Sequence, residues 1–102
     1  MRNSPLGDES AAAATKEFQD LLSEAKGDTS ELVRQNAEEV ERRLVLLKNR
    51  KIDKEDFDHF IENQKRDLRV YVDGQPAQAQ ERAEKLTIQV LEIAAKVAIA
   101  LI

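Results

Sequence analysis

The chain has 102 residues, a net charge of −4, 35% charged residues and only 4% aromatic residues. This profile is typical of long helices or coiled coils, and a chain of this length forms one domain with a hydrophobic core. Cysteine is absent, which excludes disulfides, thiolate metal sites and a cysteine nucleophile. The negative charge argues against nucleic acid as the main partner.

Two segments are distinguished by composition. Residues 1–9 are polar and contain a proline and a glycine, so we expect a flexible leader there and no signal peptide. Residues 10–102 are expected to form a single helical-bundle domain. Its first helix is predicted to run to about Lys26, with Gly27 as its stop. Apolar residues at spacings of three and four carry that prediction: Ala11, Ala14, Phe18, Leu21 and Ala25.

A capping-box pattern precedes the second helix. The carboxylates of Asp28 and Glu31 have the spacing that satisfies free amides at a helix start, and the helix is predicted to reach about Lys48. The residues predicted to point inward are Val33, Ala37, Val40, Leu44 and Leu47. Two ion pairs at i,i+4 spacing are predicted on the exposed face, Glu38–Arg42 and Glu39–Arg43.

A polar break at residues 49–51 separates the second helix from a third. The break has no glycine or proline, so a single long kinked helix is an alternative. Asp53 is predicted to cap the third helix, and Gly74 is predicted to end it in a left-handed conformation. The apolar stripe of the third helix consists of Phe57, Phe60, Ile61, Leu68 and Tyr71.

Gln64 occupies the same heptad register as that stripe. A buried polar residue in such a position can fix helix register or oligomeric state at a cost in stability. It can equally lie at the edge of the stripe and contact water. The sequence leaves both interpretations open.

The fourth helix, predicted from about Pro76 to the end of the chain, has the most unusual pattern. Thirteen of the seventeen residues from Leu86 to Ile102 are apolar. An ordinary surface helix has an apolar stripe only a little over ~100° wide, so this helix must be covered on most of its circumference. It is either the central helix of a bundle or packs against another copy or another protein.

Motifs for catalysis or metal binding are weak. His59 has Asp56 and Glu62 three residues to either side, but a metal site needs three or four ligands, and a solvated histidine is the favoured interpretation. The acidic residues at 53–58 lack the glycine and glutamate spacing of a calcium loop, so we assign them to helix capping. The basic residues around the middle turn are interleaved with glutamates and are assigned to a solvated face. We predict no catalytic residue, metal or cofactor.

These patterns predict an all-α antiparallel bundle of about four helices with heptad-like packing, in which the last helix is the most buried. The expected function is non-enzymatic association, as a homodimer or with a helical partner, in a cytoplasmic protein of the kind that accessory genes encode. The predicted interface comprises Leu86, Val90, Leu91, Ile93, Val97, Ile99, Leu101 and Ile102. Two alternatives remain: a helical protein that associates with a membrane surface, and a small metal- or ligand-binding bundle with its site at a subunit interface.

Overall fold

A computed structural model describes the backbone of residues 9–101 and the side chains of residues 16–100. The helices are α1 (Glu9–Lys26), α2 (Glu31–Lys48), α3 (Lys54–Asp73), α4 (Ala77–Glu84), a π-helical segment (Lys85–Gln89) and α5 (Val90–Leu101). The last three are continuous and form one rod, residues 77–101. The leader predicted at residues 1–9 lies almost entirely outside the described residues.

Neighbouring helices run antiparallel, as side-chain pairs at successive levels show. Between α2 and α3 the pairs are Ser30 with Tyr71, Asn36 with Gln64, and Arg43 with Phe60. Between α3 and the final rod they are Arg69 with Glu84 and Lys65 with Glu92. The prediction of an all-α antiparallel bundle is confirmed.

The helix α5 lies at the centre of the bundle and packs against α1, α2 and α3. Leu91 and Ala94 are fully buried, and the exposed residues form a narrow stripe at Gln89, Glu92, Lys96 and Ile99. Apart from Ile99, the apolar circumference of the described part of α5 is therefore covered by helices of the same chain. The prediction that the last helix is the most buried is confirmed.

The inward face predicted for α2 is also confirmed, because all five of its residues are buried. In α3, Phe57, Phe60, Ile61 and Leu68 are buried as predicted, whereas Tyr71 is only half-buried. Val72 completes the buried face of α3. The predicted positions Ala11 and Ala14 of α1 have side chains outside the described residues.

The cap of α2 differs from the prediction. Ser30 is the N-cap, and its Oγ accepts a hydrogen bond from the amide of Val33 at 3.4 Å. Asp28 instead accepts the amide of Ser30 at 3.0 Å, the local turn that an aspartate makes two residues ahead. At α3 the cap is Asp53, as predicted, in a reciprocal capping box with Asp56.

The two glycine-dependent expectations for helix ends have different outcomes. The helix α1 ends at Lys26, directly before Gly27, as predicted. Gly74 ends α3 with φ −83° and ψ −3°, so the left-handed conformation predicted for it is wrong. The left-handed residue is Arg50, with φ 60°.

Arg50 ends α2 through a Schellman-type pair of hydrogen bonds. Its amide donates to the carbonyl of Leu47 at 3.0 Å, and the amide of Lys51 donates to that of Leu46 at 2.8 Å. This turn separates α2 from α3, so the alternative of one long kinked helix is wrong.

Ion pairing along α2 follows the prediction only in part. Arg43 Nε lies 2.7 Å from Glu39 Oε2, as predicted. Arg42 also pairs with Glu39, at 2.6 Å, rather than with Glu38. Two guanidinium groups therefore share one carboxylate, and Glu38 stays exposed.

Candidate functional site

Most of the predicted interface lies inside the single chain. Five of its residues are buried against the chain's own helices: Leu86, Val90, Leu91, Ile93 and Val97. Ile99 is 63% exposed. The side chains of Leu101 and Ile102 lie outside the described residues. Within the described part of α5, a partner thus has access to Ile99 and not to the seam beneath it.

His59 is exposed on the surface of α3. In the described part of the chain, no group of three or more histidine, aspartate or glutamate side chains is arranged to hold a metal ion. The structure therefore does not bring a ligand set together around His59 within one chain.

Two grooves lie on the protein surface, one on each side of α2. The first, here called the α1–α2 groove, has a volume of about 410 Å³. Its apolar lining consists of Phe18, Leu22, Leu44, Val45 and Val97. Val45 is 51% exposed although the other four are buried, so it forms an apolar wall that faces solvent.

Charged side chains form the rim of the α1–α2 groove. Lys26 Nζ donates to Glu41 Oε1 at 2.8 Å across the two helices, and this hydrogen bond raises the pKa of Lys26 above its ordinary value. Lys48 also lines the groove and has no acidic partner among the described residues. The rim thus carries both signs of charge, and among the described residues Lys48 is its one unpaired cation.

The second groove, here called the α2–α3 groove, has a volume of about 580 Å³ and is more polar. It is lined by Leu32, Gln35, Asn36, Glu38, Glu39, Arg42, Gln64, Asp67 and Leu68. The two grooves share no lining residue. They are separate surfaces.

Asn36 and Gln64 meet at the α2–α3 groove. Gln64 Nε2 donates to Asn36 Oδ1 at 2.9 Å, and Asn36 is only 4% exposed whereas Gln64 is half-buried. Gln64 combines features of both interpretations left open by the sequence, because its half-buried side chain lines the groove and pairs with the buried Asn36 between α2 and α3. The Nδ2 of Asn36 is buried, and no group among the described residues accepts a hydrogen bond from it.

Glu39 is held by two arginines at the edge of the same groove. The hydrogen bond from Arg43, with a further one from Arg42, brings the pKa of Glu39 below its ordinary value although partial burial opposes this shift. Arg43 also lies 4.5 Å from the ring centroid of Phe60, a cation–π contact that anchors its guanidinium to α3. Glu39 is therefore an ionised carboxylate that two ion pairs hold in place.

Asn36 was not predicted as a site residue, although its spacing in the sequence places it on the buried face of α2. Asn36 lies three residues after Val33 and four before Val40, which places it on the inward stripe of α2. Thr87 was not predicted either. It is fully buried in the π-helical segment and donates its hydroxyl to the carbonyl of Ala83 at 2.6 Å. Buried threonines in helices commonly make this bond to the preceding turn.

Comparisons with models of protein families, with curated proteins and with solved structures find no match to this chain. None of the described helices has the combined length and hydrophobicity that crossing a lipid bilayer requires.

Proposed function

We propose that this protein is a non-enzymatic bundle that acts through association, and that it forms a two-fold dimer through the α1–α2 groove. The observation that carries this proposal is the exposed wall of Val45 beside a floor of buried apolar side chains. An isolated exposed apolar side chain is common on protein surfaces, but one that continues an apolar groove can extend the contact area offered to a partner.

The rim charges favour a second copy as the occupant. A two-fold axis places the same patch of each subunit against itself, so a self-complementary rim needs both signs of charge. Lys48 is unpaired within the described residues, and Glu41 lies on the same rim. In a two-fold arrangement, Lys48 of one copy reaches Glu41 of the other, which it then shares with Lys26 of that copy.

This location replaces the apolar seam of α5 as the interface. Leu91 and Val90 are fully buried by the chain itself, so they are not available to a partner in the folded protein. Ile99 is exposed but lines neither groove, so it lies outside the proposed contact.

The test is light scattering coupled to size-exclusion chromatography over about a hundredfold range of protein concentration. We expect a dimer for the wild-type chain and a monomer for Val45→Asp, which places a charge on the groove wall. Because Val45 faces solvent in the monomer, this variant should keep the melting temperature of an isolated subunit. Lys48→Glu should weaken the dimer by reversing the rim charge.

Val70→Asp is the matched control. Val70 is 73% exposed on α3 and lines neither groove, so this variant should dimerise like the wild type. A wild-type monomer at all concentrations, or a Val45→Asp variant that still dimerises, would show that the proposed surface is wrong.

A further inference from the structure

We propose that the α2–α3 groove binds an extended peptide segment that offers a main-chain carbonyl to Asn36 and carries a lysine or arginine side chain. This site is independent of the proposed dimer contact, because the two grooves share no lining residue.

The side-chain amide of Asn36 has a hydrogen-bond donor without a partner among the described residues. Buried side-chain polar atoms in proteins are almost always paired, yet Asn36 Nδ2 has no acceptor among the described residues. A carboxamide has one donor group and one acceptor, the same combination as a peptide unit. Gln35 and Gln64 line the same groove, so three carboxamides are available to bind main-chain atoms.

Access of a ligand to Asn36 Nδ2 requires a side-chain movement. Asn36 Nδ2 is buried, so a ligand reaches it only when a neighbouring side chain turns aside. Gln64 is the residue to move, since it contacts Asn36, is half-buried and has a long flexible side chain. A peptide unit that takes its place can accept from Asn36 Nδ2 with its carbonyl and, with its N–H, replace the hydrogen bond that Asn36 Oδ1 loses from Gln64.

The charge of the α2–α3 groove favours a cationic ligand. Glu38 and Asp67 line the groove, are exposed, and form no ion pair within the described part of the chain. Glu39 and its two arginines together carry +1, so with Glu38 and Asp67 the charged groups at the groove sum to −1. Such a surface attracts a cationic side chain and repels an acidic one. The exposed Leu32 can cover the aliphatic part of a lysine or arginine.

We expect the asparagine at position 36 to lower the stability of the folded protein. A leucine at this position would remove an unpaired buried donor from the inward stripe of α2. We therefore expect Asn36→Leu to raise the melting temperature while it abolishes peptide binding. A residue that lowers stability and enables binding is what a functional site requires.

The experiment uses the full-length protein labelled with ¹⁵N and two blocked tripeptides, acetyl-Ala-Lys-Ala-amide and acetyl-Ala-Glu-Ala-amide. The lysine peptide, added to about 20 mM, should shift the side-chain amide signals of Asn36 and Gln64 in a saturable way. The glutamate peptide should bind at least about tenfold more weakly. The double variant Glu38→Gln, Asp67→Asn should remove that preference, and both of its positions are exposed, so it should fold normally.

Asn63→Leu is the matched control for Asn36→Leu, because it makes the same change at an exposed position of α3 outside the groove. It should keep wild-type binding, whereas Asn36→Leu should show no shift. The proposal is overturned if the lysine peptide gives no saturable shift, if both peptides bind equally well to the wild type, or if Asn36→Leu binds like the wild type. None of these outcomes depends on the oligomeric state.

Discussion

The guanidinium of Arg82 on α4 lies 2.8 Å from the carboxylate of Asp28 in the loop between α1 and α2. The same Asp28 accepts the amide of Ser30, which caps α2, so one nearly buried carboxylate joins the start of α2 to the final rod. Arg82 also reaches Glu24 at 3.3 Å. This junction positions α2, and with it both grooves, against the rest of the bundle.

Replacing Asp28 with asparagine should lower the free energy of unfolding by about 1 kcal/mol, because Arg82 loses its charged partner while the turn to Ser30 can persist. The loss is modest since Arg82 itself is largely exposed. Urea unfolding followed by circular dichroism measures it. Glu24→Gln, which removes the longer contact, is the control and should change stability by less than about 0.5 kcal/mol.

The contribution of Asp28 should depend on pH. Burial alone would raise the pKa of Asp28, but the amide of Ser30 and the guanidinium of Arg82 together bring it below its ordinary value of 3.8. The stabilisation is therefore complete above the unfolded-state pKa and is lost as the pH falls through the lower folded-state pKa. The difference in unfolding free energy between the wild type and Asp28→Asn should be constant near neutral pH and shrink in strong acid. A difference that grows on acidification would contradict the assigned pKa direction.

Arg50 offers a site where a substitution should stabilise the protein. Its φ of 60° is left-handed, a conformation that costs roughly 1–2 kcal/mol for a residue with a Cβ and little for glycine. Arg50→Gly should raise the free energy of unfolding by about 1 kcal/mol, measured by urea unfolding. Asn49→Gly tests the reason, because Asn49 has φ −88° and gains nothing from glycine. Equal gains in both variants would contradict the left-handed conformation of Arg50 as the cause.

Helix limits and the buried face of α2 could be predicted from the sequence because they depend on local rules. Asp53 caps the helix that follows it, and apolar residues such as Val40 and Leu44 recur at helical spacing wherever that helix packs. The same rule predicted that α5 is covered on nearly all sides, but it left open whether its own chain or a second one covers it.

The features that could not be predicted depend on contacts between distant residues. The left-handed residue is Arg50 rather than Gly74. The packing of α2 against α3, rather than the amino-acid composition of the turn, fixes the conformation of the turn between these helices. Similarly, the choice of Ser30 over Asp28 as the cap depends on Arg82, which is more than fifty residues away. The π-helical segment at Lys85–Gln89 has no glycine or proline to mark it.

The candidate sites show the same division. Gln64 had two open interpretations from its register alone, and only the fold brings it to Asn36, 28 residues earlier in the chain. The interface predicted on α5 followed from hydrophobicity alone, which does not distinguish burial within a chain from burial between chains. Val45 and Lys48 form a groove with Phe18 only because α1 and α2 are antiparallel.

The position of α5 inside the bundle predicts opposite outcomes for one substitution at two sites of that helix. Ile93 is buried, so Ile93→Asp places an unpaired charge in the core and should cost several kcal/mol, enough to unfold a marginally stable domain. Ile99 is mostly exposed, so Ile99→Asp should change stability by less than about 0.5 kcal/mol. Thermal melting followed by circular dichroism measures both.

The two variants also distinguish a core position from an interface position. If Ile93 lay at a contact between subunits, Ile93→Asp would give a folded monomer whose melting temperature no longer depends on protein concentration. Because Ile93 is covered by its own chain, we expect loss of helical signal at every concentration instead. A folded Ile93→Asp variant with wild-type stability would contradict the central position of α5. A large loss of stability in Ile99→Asp would show that this face of the helix is covered by a second molecule.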